Sequence, residues 1–451
     1  MFSFLFSIAN RVSRFRVMQC VVTAVLLVPL TGPLWAAPEP LSLQQAQQLA
    51  ARRSTQLVAQ DAAARAARDM AVAAGQLPDP ILKLGIDNLP VTGPDRLSLN
   101  RDFMTMRRIG LMQELPRDVK RKLKKERFER DAERAQAQGE LALAALQQGT
   151  AMAWLERYYA QATRTLLLQQ LEETRLQEQG ANIAFREGRG SQADIFAARA
   201  AQIELDDRLS QIDRQTKAAS LVLVRWIGPD ALRPLSGTPA WTSVWGTASP
   251  ELSLSADQLR QHPKLAASAA LLNAAETDAR LAQANTTSDW TVEAAYQQRG
   301  PSFSNMVSIG LSVPLQWDRN NRQNREIAAR LAAVEEARAN DEDTQRAYET
   351  EVRGLLNDWQ TGKERVLRYN SQMIPVAGQR LAAALTAYRI GKGDLASVLT
   401  ARREEINTRI QALALELETA RFWAQLNYLK PDNNLALGPS SGSAETSKGQ
   451  P

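Results

Sequence analysis

Apolar residues recur every three or four positions along two long stretches of the chain. Residues 318–388 contain no proline before Pro375, and their apolar positions alternate in steps of four and three. The series is Tyr348, Val352, Leu355, Trp359, Val366, Tyr369, Met373 and Val376, with a lapse at Gly362. Such a seam is typical of helices that lie along one another for many turns. A helix of about 70 residues is roughly 105 Å long.

A second stretch, residues 117–187, is also free of proline and is rich in Ala, Leu, Gln, Glu and Arg. A return helix is predicted after each long helix, at about 192–226 in the first case and ending near residue 429 in the second. Shorter helices are predicted at 41–75 and at about 255–284. The helical part is therefore built on two long hairpins.

Between these helices the apolar residues change to a period of two. Four segments show this alternation, at residues 81–87, 105–115, 290–297 and 307–315. The pattern predicts strands with one apolar and one polar face. The polar positions that would line a water-filled lumen include Lys83, Asp87, Glu293, Ser308 and Ser312.

The order of elements occurs twice, and so do several residues. Ile109-Gly110-Leu111 with Leu115 matches Ile309-Gly310-Leu311 with Leu315. Phe185-Arg186-x-Gly188-x-Gly190 matches Tyr388-Arg389-x-Gly391-x-Gly393 at the two turns between long and return helices. The chain is therefore predicted to be a tandem duplication of helix, β-hairpin, long helix, turn and return helix.

This duplication predicts the domain organisation. The first repeat spans residues 38–228 with its β-hairpin at 80–115, and a linker follows at 229–251. The second repeat spans 252–430 with its hairpin at 289–316. A disordered tail is expected at 431–451, where Gly, Ser and Asn are frequent.

Residues 1–37 have the features of a secretory signal peptide. Arg11, Arg14 and Arg16 precede a short apolar run at 21–30, and Ala36 and Ala37 follow it. An uncleaved membrane anchor is the alternative, but the run is short for a span of about 20 residues. The formal charge of +6 falls to about +3 without these arginines, which is too weak to argue for nucleic acid.

Strands of this length and alternation are typical of outer-membrane barrels. Four strands cannot close a barrel alone, since small barrels need about eight. An open edge in lipid would leave backbone groups unpaired, so closure requires further subunits. The alternative is a pair of surface hairpins on a soluble helical protein.

Two motifs carry a resemblance to a known family. They are Gly75-Gln76-Leu77-Pro78-Asp79-Pro80 before the first strand, and Tyr388-x-x-Gly391 followed by Leu395 and Val398-Leu399-x-Ala401-Arg402. Together with the duplicated order of elements, they make the chain resemble the TolC-like outer-membrane efflux factors over nearly its whole mature length. Asn88-Leu89-Pro90, residues 101–106 and Lys120-Arg121 resemble the heavy-metal (cation) RND efflux branch.

This resemblance implies a mainly α fold with a small β part. Three chains would form a homotrimer, with a 12-stranded β-barrel in the outer-membrane lipid that continues into an α-helical tunnel across the periplasm. The implied function is an exit duct without chemistry of its own. It would receive substrates, metal cations in the heavy-metal branch, from an inner-membrane RND pump through a periplasmic adaptor protein.

The resemblance also places the two glycine turns at the periplasmic mouth of the tunnel. The turn glycines are Gly188, Gly190, Gly391 and Gly393, and the polar gate candidates are Asp194, Arg186, Arg189, Arg389, Lys392 and Asp394. Asp194 matches a position where the family often has aspartate. Ser397 and Thr400 depart from the family's acidic residues, which argues against a double acidic ring. A solvated turn without a gating role is the alternative.

Catalytic and cofactor chemistry has little support in the sequence, and we expect no enzyme, no cofactor and no metal site. His262 is the one histidine and Cys20, inside the predicted leader, the one cysteine, so a Cys/His metal site or histidine-based nucleophilic catalysis is excluded. Gly188-x-Gly190-x-x-Ala193 imitates a dinucleotide fingerprint but follows a helix. Met104, Met106 and Met112 are expected to face lipid or neighbouring side chains rather than a metal.

A run of basic residues lies where the second strand meets the first long helix. It comprises Arg117, Lys120, Arg121, Lys122, Lys124, Lys125 and Arg127. Such a run is either a solvated helix face or a surface that contacts lipid head groups. Two alternative functions also remain open from sequence: the same fold exporting drugs or proteins, and a soluble periplasmic coiled-coil adaptor or scaffold.

Overall fold

The computed structural model describes residues 39–236, 262–429 and 431 of the chain. The predicted signal peptide, most of the linker, the start of the helix predicted near residue 255 and nearly all of the predicted tail lie outside these residues. The described helices are α1 (Leu43–Arg53), α2 (Thr55–Ala74), α3 (Asp118–Arg186), α4 (Gln192–Ile227), α5 (Pro263–Ala284), α6 (Gln323–Arg368), α7 (Ile374–Arg389) and α8 (Leu395–Asn427). The described strands are β1 (Ile81–Asp87), β2 (Met106–Leu115), β3 (Trp290–Gln298) and β4 (Met306–Ser312).

Both long helices exist. Helix α3 has 69 residues, so it is roughly 104 Å long. Helices α6 and α7 follow one another without a turn, because one π-helical segment, Tyr369–Met373, joins them. The four strands form one antiparallel sheet in the order β1-β2-β3-β4. The β2–β3 pairing therefore unites the strands of the two repeats in a single sheet.

The first helix of the chain differs from the prediction. A single helix was expected over residues 41–75, but it is divided into α1 and α2 at Ser54. Ser54 is extended, with φ −71° and ψ 107°, and its hydroxyl accepts a hydrogen bond from the Leu57 N–H at 3.3 Å. Serine is favoured at this position because its hydroxyl accepts a hydrogen bond from a first-turn N–H group that has no acceptor within the helix.

The heptad seam is correct in its first part and wrong in its second. Tyr348, Val352, Trp359 and Val366 are buried, whereas Met373 and Val376 are 46% and 61% exposed. The π-helical segment begins after Val366 and ends at Met373, and its wider turn shifts the phase of the side chains that follow. Leu381 is buried instead. The segment also suits Pro375, which has no N–H to donate to the preceding turn.

The fourth strand is shorter than predicted. It ends at Ser312, although the alternating pattern continues to Leu315. Pro314 cannot donate a ladder hydrogen bond, and its carbonyl accepts one from the Ser288 hydroxyl at 2.5 Å. After Ser312 the ladder hydrogen bonds between β3 and β4 therefore end, and the Ser288 side chain holds the segment that leads to α6.

The largest core lies around the middle of α3. Trp154 and Leu155 are fully buried there, together with Leu223 of α4 and Ala424 of α8. Trp154 Nε1 donates to the carbonyl of Leu41 at 3.2 Å, which ties the start of the chain to α3. A core shared by both repeats fixes the two helical hairpins against each other.

Gly362 occupies the lapse in the seam because two helices meet there closely. A Cβ at this position would lie 2.5 Å from Thr419 Oγ1 on α8. Thr419 is fully buried, and its hydroxyl donates to the Leu415 carbonyl at 2.8 Å. The glycine is therefore a packing requirement of the α6–α8 contact.

We expect Gly362→Ala to destabilise the protein by about 1–3 kcal/mol, because the added methyl group overpacks this contact. The thermal unfolding midpoint in detergent measures the effect, and Thr419→Ala in the same chain should restore part of it. Gly354→Ala is the matched control, since it lies in α6 with no atom within 4 Å of its Cβ position. Equal midpoints for the two single variants would contradict the packing role.

Candidate functional site

The sheet has two chemically different faces. Strand register places the side chains of Leu84, Ile109, Tyr296 and Val307 at successive partner positions on one face. The exposed apolar side chains of this face are Leu82, Leu84, Ile86, Ile109, Leu111, Trp290, Tyr296, Val307, Ile309 and Leu311. Ile309 is 81% exposed. A contiguous apolar surface of this kind marks an interaction site rather than a face meant for water.

The opposite face is polar and carries small residues. Lys83, Gly110 and Ala295 are partners across β1, β2 and β3, and Glu293 is the partner of Gly310. Ser308 and Ser312 lie on the same face, and Gln297 Nε2 donates to Ser308 Oγ at 2.7 Å. All five polar positions predicted to line the lumen thus share one face of the sheet.

Four charged side chains on the polar face form a connected group. Lys83 Nζ lies 2.8 Å from a Glu293 carboxylate oxygen, and Arg108 pairs with the same carboxylate. Arg108 also approaches Asp87 at 3.8 Å. Arg108 is not among the predicted lumen positions, because β2 alternates less cleanly and only the register shows which face the residue occupies.

The two outer strands have free edges. Within the described chain, β1 pairs only with β2, and β4 pairs only with β3. One edge of each strand therefore has backbone N–H and C=O groups without a ladder partner from this chain. Exposed edges of this kind are templates for pairing with another strand.

The two glycine turns have the same backbone geometry. Gly188 and Gly391 have φ of +72° and +73°, a conformation that glycine adopts without strain. The Arg189 and Lys392 N–H groups donate to carbonyls five residues back, both at 2.9 Å. This is the Schellman ending of a helix, made twice.

Gly190 and Gly393 are needed for close approach within each turn. A Cβ at Gly190 would lie 3.2 Å from Ala184 Cβ, and one at Gly393 would lie 3.1 Å from Ala387 Cβ. The turns bring the two hairpins together, since Ala181, Ala198, Leu381, Leu395, Val398 and Ala401 form one buried cluster beside them. The glycines of the duplicated motif therefore turn each long helix back into its return helix, and the likeness to a dinucleotide fingerprint is coincidental.

The acidic gate candidates begin the return helices. Ser191 is the N-cap of α4, and an Asp194 carboxylate oxygen accepts from the Ser191 N–H at 2.9 Å and from its hydroxyl at 2.8 Å. In the second repeat the pair is reversed. Asp394 is the N-cap of α8 and accepts from the Ser397 N–H at 2.8 Å. The carboxylate missing at Ser397 has its counterpart at the N-cap residue, Asp394.

The hydrogen bonds of this cap change the pKa of the Asp394 carboxyl group. The side-chain hydrogen bond from Ser397, followed by the Ser397 backbone N–H, lowers the pKa of Asp394. A lowered pKa means that the cap contributes its stability above the unfolded-state pKa and loses it as the pH falls. The second turn is therefore capped by an ionised carboxylate at neutral pH.

The basic gate candidates are exposed around the two turns. Arg189 pairs with Glu187. Arg186, Arg389 and Lys392 have no carboxylate within ion-pair distance among the residues that the structure describes. Asp194 likewise makes its contacts within its own cap and not with a neighbouring helix of this chain. The structure thus places these residues together but leaves the predicted cross-helix pair untested.

Most of the basic run at the start of α3 is paired within the chain. Lys120 is buried, and its Nζ lies 2.7 Å from Asp289, whose other oxygen accepts from the Arg117 N–H at 3.1 Å. Burial raises the pKa of Asp289, but Lys120 and Arg117 outweigh it, so the pKa is lowered overall. Other pairs are Arg121 and Lys122 with Asp118, Lys125 with Glu129, and Arg127 with Asp131 and Asp278. Arg117, Lys120 and Arg127 thus join the two repeats, whereas the other pairs lie within α3.

His262 has a structural role at the start of α5. Its Nδ1 accepts a hydrogen bond from the Lys264 N–H at 3.1 Å, and its ring stacks on Tyr348 at 4.3 Å. Burial, as the largest cause, lowers the pKa of His262 to about 4. Among the described residues, no group of three His, Cys, Asp or Glu side chains could hold a metal ion. None of the described helices is long and apolar enough to span a membrane.

Comparisons with known proteins agree with this arrangement. Residues 254–429 match a family model described as outer membrane efflux protein. The outer membrane protein VceC of Vibrio cholerae is 18% identical, with a TM-score of 0.71 over 86% of this chain and 95% of VceC. The open-state MtrE outer membrane channel of Neisseria gonorrhoeae is 16% identical, with a TM-score of 0.68 over 87% of this chain and 88% of MtrE.

CusC, whose crystal structures concern folding and transmembrane channel formation, is 15% identical, with a TM-score of 0.73 over 86% of this chain and 92% of CusC. No curated protein matches the chain. At these identities the solved structures establish the fold. The family description of residues 254–429 agrees with the expected outer-membrane location and transport role. Residues 254–429 therefore match the outer membrane efflux protein family, and the described chain has the fold of outer-membrane channels such as VceC.

Proposed function

We propose that the protein is a passive exit duct that carries substrates through the outer membrane for a pump in the inner membrane. The observation that carries this proposal is one sheet with an exposed apolar face and a polar, charged face. The apolar face suits lipid and the polar face suits a water-filled lumen. The long helices then extend the duct away from the membrane, with the glycine turns at its far end.

The free edges of the sheet support an assembly of several copies. Four antiparallel strands are an even number, so β4 of one copy can pair with β1 of the next and preserve the antiparallel order. Lipid supplies no hydrogen bonds to an open edge. Three copies would provide twelve strands, and the family resemblance favours this homotrimer.

The partners and the cargo rest on the resemblance. A periplasmic adaptor and an RND pump would dock at the end that carries the glycine turns. Metal cations are the proposed cargo, because residues 88–90, 101–106 and 120–121 resemble the heavy-metal branch. Drug export by the same fold is the second candidate, since a wide duct imposes little selection of its own.

The simplest test is electrical. Purified protein in planar bilayers should form channels, and native mass measurement in detergent should give three copies. Matched growth assays with a deletion strain should show sensitivity to metal cations if the cargo proposal holds, and to drugs if the second candidate holds. A monomer without channel activity would contradict the duct itself.

A pair of neighbouring substitutions on β4 tests the two faces. Ile309→Arg should lower the yield of assembled protein in outer membranes, because an arginine in the middle of a lipid-facing strand costs about 2–4 kcal/mol. Ser308→Arg, one residue away on the polar face, should assemble normally and reduce single-channel conductance. Equal assembly of both variants would contradict the assignment of the faces.

The gate proposal concerns Asp194, which would pair with an Arg or Lys of a neighbouring helix in the closed assembly. Asp194→Asn is the informative change, because the amide oxygen can still accept the Ser191 cap hydrogen bond while the charge is lost. We expect higher single-channel conductance and greater sensitivity of cells to large antibiotics. A variant that matches the parent in both, at normal trimer level, would show that Asp194 only caps its helix.

A further inference from the structure

We propose that Lys83, Glu293, Arg108 and Asp87 form a charge-balanced group that keeps the barrel lumen from selecting cargo by charge, with Glu293 as the residue that holds the balance. The inference rests on the proposed channel function. It assigns the lack of charge selection to a group at mid-sheet, away from the glycine turns.

Glu293 is the centre of the group because it contacts both cations. Lys83 on β1 reaches it at 2.8 Å, and Arg108 on β2 pairs with the same carboxylate. The side chain of Glu293 is 21% exposed, less than those of Lys83 at 39% and Arg108 at 30%. Removal of its charge would therefore leave two cations facing one another with no carboxylate between them.

A glycine on β2 makes this geometry possible. Lys83 lies opposite Gly110, so its side chain crosses β2 where no side chain blocks the way to β3. A Cβ at Gly110 would lie 3.1 Å from Ala295 Cβ. On the other side, Glu293 is the partner of Gly310, and β4 contributes no charged residue to this face. The carboxylate thus has its cations on one side only.

The charges of the group cancel within each chain. Lys83 and Arg108 are positive, and Glu293 and Asp87 are negative, so repetition around a closed barrel gives a ring without net charge at this level of the sheet. Glu114, the other charged strand residue on this face, lies at the α3 end of β2, opposite Thr291. Rings of unbalanced Lys or Arg favour anions, and rings of unbalanced Asp or Glu favour cations. A balanced ring passes metal cations and organic ions alike, which suits a duct whose selection occurs in the pump.

Reversal potentials in a KCl gradient across planar bilayers test the proposal. Glu293→Gln should move the reversal potential toward that of chloride, and Lys83→Gln should move it toward that of potassium. The double variant regains balance and should return to the parental value. Glu293→Asp keeps the charge and is the matched control, so it should behave as the parent.

Chemical restoration of the charge at position 293 in assembled channels separates an effect on ion selectivity from an effect on assembly. Glu293→Cys should be anion-preferring, and a sulfonate-bearing methanethiosulfonate should return it to the parental reversal potential. A trimethylammonium-bearing reagent should increase the anion preference. Parental reversal potentials in both single glutamine variants, with channels present, would overturn the inference alone. Absence of channels in the parent protein would overturn the proposed function and this inference with it.

Discussion

Backbone hydrogen bonding at the edges of the sheet is the constraint on which the rest of the structure depends. Among the residues that the structure describes, β1 and β4 each have one edge with no ladder partner. Each unpaired backbone group in hydrocarbon costs several kcal/mol, so an apolar sheet can enter lipid only when it is closed. Closure by strands from other copies would explain why the sheet is amphipathic and why the number of strands is even. It would also explain why the helices are repeated.

The helices serve this closure because they hold the two repeats together. Asp289, between α5 and β3, pairs with Lys120 at the start of α3, so the β2-to-α3 joint of the first repeat is tied to the α5-to-β3 joint of the second. Close contacts also recur at glycines. A Cβ at Gly149 of α3 would lie 2.6 Å from the Trp226 ring of α4, as Gly362 meets Thr419 between α6 and α8. Small residues let long helices approach closely, and the β2–β3 ladder sets the register between the strands of the two repeats.

Periodicity was sufficient to predict the long helices, the four strands and the duplicated turns. The features it missed depend on single residues or on contacts between distant parts of the chain. Ser54 divides a helix through one side-chain cap, and the π-helical segment shifts the seam by a local change of phase that leaves the apolar pattern intact. Arg108 joins Lys83 and Glu293 only through the register of β1, β2 and β3. The exchange between Ser191–Asp194 and Asp394–Ser397 preserves the cap while it moves the charge.

The central claim is that strands of different copies pair to close the barrel. Disulfide cross-linking between single cysteines on β1 and single cysteines on β4, combined in one chain, tests it most directly. A set of pairs across Leu82, Leu84 and Ile86 on β1 and Val307, Ile309 and Leu311 on β4 covers the possible registers. Oxidation in outer membranes should yield covalent dimers and trimers for one register and not for its neighbours. Monomers at every register, with the protein folded in the membrane, would contradict closure by neighbouring copies.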